Sequence, residues 1–147
     1  MLPKANDPPE VKEYILDSYA LLAYLEAEPG GDRVKELLEA ATEGKCRLYM
    51  SVINLGEVMY IVERERGLPK AQETLAQIDE LPIEIVDADR SLTLAAAHLK
   101  TQWSIAYADC FAAALSQVKN APLVTGDPEF RKASSALRVE WLSSQED

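Results

Sequence analysis

Apolar residues along this chain alternate between short runs and stretches with helical spacing. Tyr14-Ile15-Leu16 is a run of the kind that makes a buried strand, and Ser18 to Glu28, with Leu21, Leu22 and Leu25, predicts a helix stopped by Pro29-Gly30-Gly31. Asp32 stands where it can cap a second helix running to Gly44. Cys46 to Met50 is strand-like, and Ser51 to Arg66 carries Leu55, Val58, Met59 and Val62 at helical spacing. The alternation continues with a helix over Pro69 to Leu81, a strand at Ile83-Glu84-Ile85-Val86, an amphipathic helix over Asp89 to Lys100 and an alanine-rich one over Tyr107 to Lys119. Pro122 to Thr125 and Val139 to Leu142 close the series as strands. Short strands joined through helices need crossover connections, so the expected fold is α/β: one domain on a central parallel sheet with helices on both faces. Met1 to Val11 holds Pro3, Pro8 and Pro9 among polar residues and has neither periodicity. The chain therefore divides into a flexible extension (1–12), the domain (13–142) and a polar tail (143–147).

Composition leaves this picture in place and constrains function. With 48% hydrophobic and 27% charged residues over 147 positions, the chain can bury a full core without disulfides or structural metal. Its uncharged stretches, such as Leu48 to Gly56 and Cys110 to Val118, fall short of the roughly 20 apolar residues of a membrane-spanning helix, so no membrane association is expected. Cys46 and Cys110 make neither a CxxC nor a CxxH pair, and no basic segment followed by an apolar one opens the sequence, which makes a reducing cytoplasm the expected setting. Acidic residues outnumber basic ones 25 to 15, a formal charge of −10. A uniformly acidic surface repels a phosphate backbone, unless its carboxylates are gathered at one site and neutralised by divalent cations.

Four acids meet that condition. In open sheets of this kind ligands bind beyond the carboxyl ends of the strands. Asp17 directly follows the first strand, and Asp127 lies two residues past Thr125. Glu57 falls in the first turns of the helix after Cys46 to Met50, and Asp109 near the start of the helix from Tyr107. All four can crowd one edge of one sheet. Carboxylates so placed repel each other unless a cation joins them, and an all-oxygen set suits Mg²⁺ or Mn²⁺.

The segments that carry these acids are Tyr14-Ile15-Leu16-Asp17-Ser18-Tyr19-Ala20-Leu21-Leu22, Ser51-Val52-Ile53-Asn54-Leu55-Gly56-Glu57-Val58, Ala108-Asp109-Cys110-Phe111-Ala112-Ala113-Ala114 and Leu123-Val124-Thr125-Gly126-Asp127-Pro128-Glu129-Phe130. Together, in this order, they resemble the PIN domain nucleases, and among them the VapC toxins of type II toxin-antitoxin pairs, over about residues 13 to 142. The resemblance implies a Mg²⁺-dependent endoribonuclease, with Mn²⁺ able to substitute, in which Asp17, Glu57, Asp109 and Asp127 bind the metal and the Thr125 hydroxyl stands beside them. It further implies a homodimer held inactive by a VapB-like antitoxin, with RNA as the substrate. The proline-bearing extension and the acidic overall charge depart from the family's usual pattern.

Each acid also has a purely structural reading. Asn54-x-x-Glu57 is a capping-box pattern, Asp17-Ser18 can cap the first helix, and Asp127 in Gly126-Asp127-Pro128 is ordinary turn chemistry. Asp109 can complement a helix dipole, yet it is the one charge between Lys100 and Lys119, where burial is expected. His98 reads as a solvated helix residue, which leaves no Ser-His pair to build. Arg64, Arg66, Arg131 and Lys132 can contact phosphates or simply face solvent. Leu21, Leu22, Leu25, Leu37 and Leu38 can form a self-associating face or belong to the core. Two other functions compete with the nuclease. One is a phosphatase with Asp17 as nucleophile, although Tyr19 occupies the position where haloacid-dehalogenase-like enzymes carry a second Asp. The other is a non-catalytic PIN-like binding module.

Overall fold

The computed structural model describes residues 11–133 and 135–143. Five strands, β1 (Lys12–Leu16), β2 (Cys46–Ser51), β3 (Ile83–Val86), β4 (Leu123–Thr125) and β5 (Val139–Trp141), pair in parallel in the order β3-β2-β1-β4-β5. Between them run α1 (Ser18–Leu25), α2 (Gly31–Thr42), α3 (Val52–Arg66), α4 (Leu68–Asp79), α5 (Arg90–Gln102) and α6 (Tyr107–Lys119), with a 3₁₀ segment at Pro128–Ala133. This is the expected single α/β domain with a central parallel sheet covered on both faces.

Alternation along the strands builds two cores, because successive side chains leave a strand on opposite faces. Ile15 and Leu123 face α5 and α6, where they meet Phe111, Ala114 and Phe130. Leu16, Met50 and Val124 face the other side, where they meet Leu21 of α1, Val34 of α2, Val58 of α3 and Ile78 of α4. Ala112, Ala113 and Ala114 are completely buried. Their small side chains bring α6 close over the middle of the sheet, which is what carries the first turn of α6 to the sheet's carboxyl edge.

Several expectations shift in detail. α1 ends at Leu25, three residues early, and the chain turns through Ala27 at φ 52°. Asp32 does not cap α2: the helix starts at Gly31, the N-cap is Gly30 at φ 90°, and Asp32 lies in the first turn, where its charge still complements the positive end of the helix dipole. A Cβ at Gly31 would press on the Ala23 carbonyl, so only glycine allows α2 to start this close to α1. Of the leucines considered for self-association, Leu21, Leu37 and Leu38 are buried and Leu22 and Leu25 pack against the same cluster, so they form core. Lys12, assigned to the extension, pairs with Cys46 inside β1. Residues 1–10 of the extension and 144–147 of the tail lie outside the described residues. No helix among the described residues is long and apolar enough to cross a membrane.

Candidate active site

Asp17 begins where β1 ends, and the structure gives it two duties. Its Oδ1 accepts the Ala20 amide at 2.8 Å, which caps α1 as one sequence reading held. Its Oδ2 accepts the Thr125 hydroxyl at 2.5 Å, from the end of the neighbouring strand β4. The carboxyl is 1% exposed. Burial pushes its pKa up to about 7, against the pull of its Thr125 and Ala20 hydrogen bonds, and the negative charges of Asp109 and Asp127 add to the rise.

Asp109 lies in the first turn of α6 and is 6% exposed, as its isolation among uncharged residues suggested. Its pKa is also raised to about 7, first by burial and then by Asp127, Glu57 and Glu129, with Lys100 opposing. The four predicted acids are therefore electrostatically one group. A helix N-terminus alone would lower a carboxyl pKa, so at Asp109 burial first and the neighbouring negative charges second outweigh the dipole.

Glu57 is brought in from α3. The helix is capped by Ser51, whose hydroxyl accepts the Ile53 amide, and not by Asn54. The capping-box reading of Glu57 is thus replaced: its Oε1 accepts the hydroxyl of Ser18, next to Asp17. Asn54 is completely buried and donates its Nδ2 to the Ala108 carbonyl at 3.1 Å, tying the first turn of α3 to that of α6 beside Asp109. Asp127 follows β4 in a turn of its own making. Its amide donates to Thr125 Oγ1 at 3.0 Å and its Oδ1 accepts the Glu129 amide at 2.9 Å. The turn reading of Asp127 therefore holds alongside its charge coupling to the other acids.

Three features of the site escaped the sequence. Ser18 was read only as part of a cap, although serine beside Asp17 can reach a second acid. Glu129 acts on Asp109 from the 3₁₀ segment, where no periodicity marks it. Tyr19 packs its ring on Gly126 so closely that any Cβ there would collide with it. His98 is exposed on α5, as expected. Among the described residues, no group of three or more His, Cys, Asp or Glu side chains converges, as it stands, on one metal-sized position.

Fold and site together define an α/β domain that gathers coupled carboxylates beyond the carboxyl edge of a parallel sheet. The family model for the PIN domain matches residues 14–135, and the chain belongs to the PIN domain family. No curated protein matches its sequence significantly. Solved structures with the same fold include VapBC2 from Rickettsia felis bound to a DNA fragment from its promoter, at 23% identity and TM-score 0.69 over 89% of this chain and 99% of that one. VapBC-1 from nontypeable Haemophilus influenzae is similar at 19% identity and TM-score 0.66, over 88% and 97%. VapC20 from Mycobacterium tuberculosis, described as a sarcin-ricin loop cleaving toxin, is similar at 15% identity and TM-score 0.65, over 84% and 95%.

Proposed function

We propose that this protein is a Mg²⁺-dependent endoribonuclease and the toxin of a VapBC-type pair. The observation that carries the reading is the gathering of buried and neighbouring acids: Asp17 and Asp109 both have pKa values raised to about 7, first by burial and then by nearby negative charge, from Asp109 and Asp127 at Asp17 and from Asp127, Glu57 and Glu129 at Asp109. Burying like charges together is costly, and a divalent cation offsets that cost. The donor chemistry fits Mg²⁺. Every candidate ligand is a carboxylate oxygen, and Mg²⁺ keeps several waters while binding one or two carboxylates and the substrate's phosphate oxygens, so a closed cage of three side chains is not required. Mn²⁺ fits the same set.

In this reading Asp17 and Asp109 bind the ion directly, and Glu57 and Asp127 bind directly or through water. When bound, the ion lowers the pKa of a water and neutralises charge on the phosphate and the leaving oxygen. The chain's own residues do the rest. Thr125 fixes the Asp17 carboxylate through Oδ2 and Ser18 fixes Glu57 through Oε1, so neither acid spends freedom on orienting during reaction. A carboxylate left beside the attacking water accepts its proton. The PIN family membership and the neighbouring toxin structures support RNA as substrate and a VapB-like antitoxin as partner, and the reading includes a homodimer.

The test is hydrolysis of single-stranded RNA by the purified protein. Cleavage is expected in Mg²⁺ or Mn²⁺, weak in Ca²⁺ and absent in EDTA. Cleavage that survives chelation would rule out the metal mechanism.

A further inference from the structure

The formal charge of −10 leaves open how such a protein would hold a polyanion. The placement of its exposed aromatic rings supplies an answer. Four aromatic side chains among the described residues are substantially exposed: Tyr19, Tyr60, Tyr107 and Trp141. Each lies within three residues of one of the acids or, for Trp141, opposite Thr125 in the sheet. Tyr19 follows Asp17 by two residues, Tyr60 follows Glu57 by three, Tyr107 precedes Asp109 by two, and Trp141 is the register partner of Thr125.

Trp141 is the best placed. Val139 packs with Ile15 and Leu123 on the α5–α6 face, so Trp141, two residues further along β5, leaves the strand on that same face. Thr125, two residues past Leu123, does likewise. Strands lie about 4.8 Å apart, which puts Trp141 one strand from Thr125 and two from the end of β1 where Asp17 stands. The Arg131 guanidinium lies over the Trp141 ring at 4.8 Å from its centroid. A second arginine, Arg64, lies over Tyr60 at 5.4 Å. Of the four exposed basic residues singled out in the sequence, Arg131 and Arg64 thus lie over rings, Arg64 also facing Glu65 at 3.6 Å, and Arg66 is engaged by Glu26 at 2.6 Å.

Rings interleaved with acids do not make the continuous apolar patch that an amphipathic protein helix would cover. They suit successive bases, because stacking on aromatic faces needs no net positive charge and tolerates any base. We propose that Trp141 and Arg131 form a base-stacking platform that seats an unpaired stretch of RNA beside the acidic cluster. Trp141 takes the face of a base flanking the scissile phosphate, and Arg131 backs the ring and meets the neighbouring backbone. The platform selects unpaired RNA, since a duplex keeps its base faces stacked inside. This rests on the nuclease reading for the identity of the strand and adds the residues that grip it.

The experiment measures fluorescence anisotropy of a labelled single-stranded RNA, and of the same sequence closed in a hairpin stem, in EDTA so that binding is read without turnover. The wild type should bind the single strand and prefer it to the stem. Trp141→Ala should weaken that binding by about 5- to 150-fold, and Trp141→Phe, which keeps a ring, should fall between. Arg131→Gln should make the slope of log affinity against log salt shallower by about 0.7, the value of one single-strand phosphate contact. In Mg²⁺ the loss in kcat/KM of the Trp141 variants should be carried by KM. Binding with these dependencies in a protein that never cleaves RNA would keep the platform and remove the nuclease reading. Cleavage with the same KM in wild type and a folded Trp141→Ala would remove the platform and keep the nuclease. If Trp141→Ala fails to fold, Trp141→Phe and Arg131→Gln decide, and wild-type affinity and salt slope in both would overturn the platform. Equal binding of stem and single strand, no RNA binding at all, or loss of a protein partner with RNA affinity intact would each overturn it as well.

Discussion

Asn in place of Asp109 is expected to slow RNA cleavage on the order of 10³-fold, the rate equivalent of the several kcal/mol that metal-borne charge stabilisation contributes to a phosphoryl transition state. The substitution keeps the shape of the side chain in its buried place in the first turn of α6 and deletes one negative charge from the group formed with Asp17, Asp127, Glu57 and Glu129. The loss should appear in kcat at saturating Mg²⁺, because the residue acts on the reacting phosphate and not on the flanking strand. Asp17→Asn should be similarly severe. Glu57→Gln should be milder if that acid, held by Ser18, acts through water. Single-turnover cleavage of one RNA by the four proteins checks the order. Near wild-type rates in both aspartate variants would show that hydrolysis happens elsewhere.

The second large effect is on stability, and its sign is opposite to that of ordinary carboxylates. Asp17 and Asp109 have native pKa values raised from 3.8 to about 7. Between those values the native protein binds protons that the unfolded chain has released, so stability falls as pH rises through that window. Below it both states are protonated, and above it the full cost of the two buried charges is present, from burial first and neighbouring negative charge second. In EDTA, the wild type should therefore lose melting temperature from about pH 4 to about pH 7 through these two groups. Asp109→Asn should flatten that slope and melt on the order of 5 °C above wild type near pH 8, with the difference vanishing near pH 4. Asp17→Asn should gain less. Its amide nitrogen cannot accept the Thr125 hydroxyl that the wild-type Oδ2 accepts, although its oxygen still caps α1. Thermal melts across this pH range decide the matter. An Asp109→Asn protein less stable than wild type at pH 8 would assign the residue to complementing the dipole of α6 instead.

The raised pKa values also bear on the net charge. Two of the acids counted as ionised in the formal −10 have pKa values raised to about 7, so they carry less than their full charge at neutral pH. Asp17, Glu57, Asp109, Asp127 and Glu129 form the coupled group where the proposed cation would be taken up, and in the proposed platform rings stand in for a basic patch.

How much of this was legible depended on how local the signal was. The strands at Ile15, Met50 and Val124 and the helix through Ala112 to Ala114 follow from short-range pattern, and the parallel order follows from their alternation. Asp17 and Asp109 stand out because each is a charge abutting an apolar run. The cap of α3 is not where the local pattern Asn54-x-x-Glu57 offers it, because β2 runs one residue further and hands the capping role to Ser51. That displacement frees Asn54 to bridge to Ala108 and Glu57 to meet Ser18. Glu129, Tyr19 on Gly126 and Arg131 on Trp141 were hidden for a different reason. Each depends on strand order or on the short 3₁₀ turn, and neither leaves a period in the sequence.

The most direct measurement of the central claim, that these acids form a cation-binding site, is the melting temperature of wild type, Asp17→Asn and Asp109→Asn against Mn²⁺ concentration at neutral pH. An ion that binds only the folded protein adds RT ln(1 + [L]/Kd), about 2.7 kcal/mol at one hundred times Kd. The wild type should rise with Mn²⁺ in a saturable way, and both variants, already relieved of charge, should respond little. A rise of equal size in all three proteins would place the ion elsewhere and contradict the account.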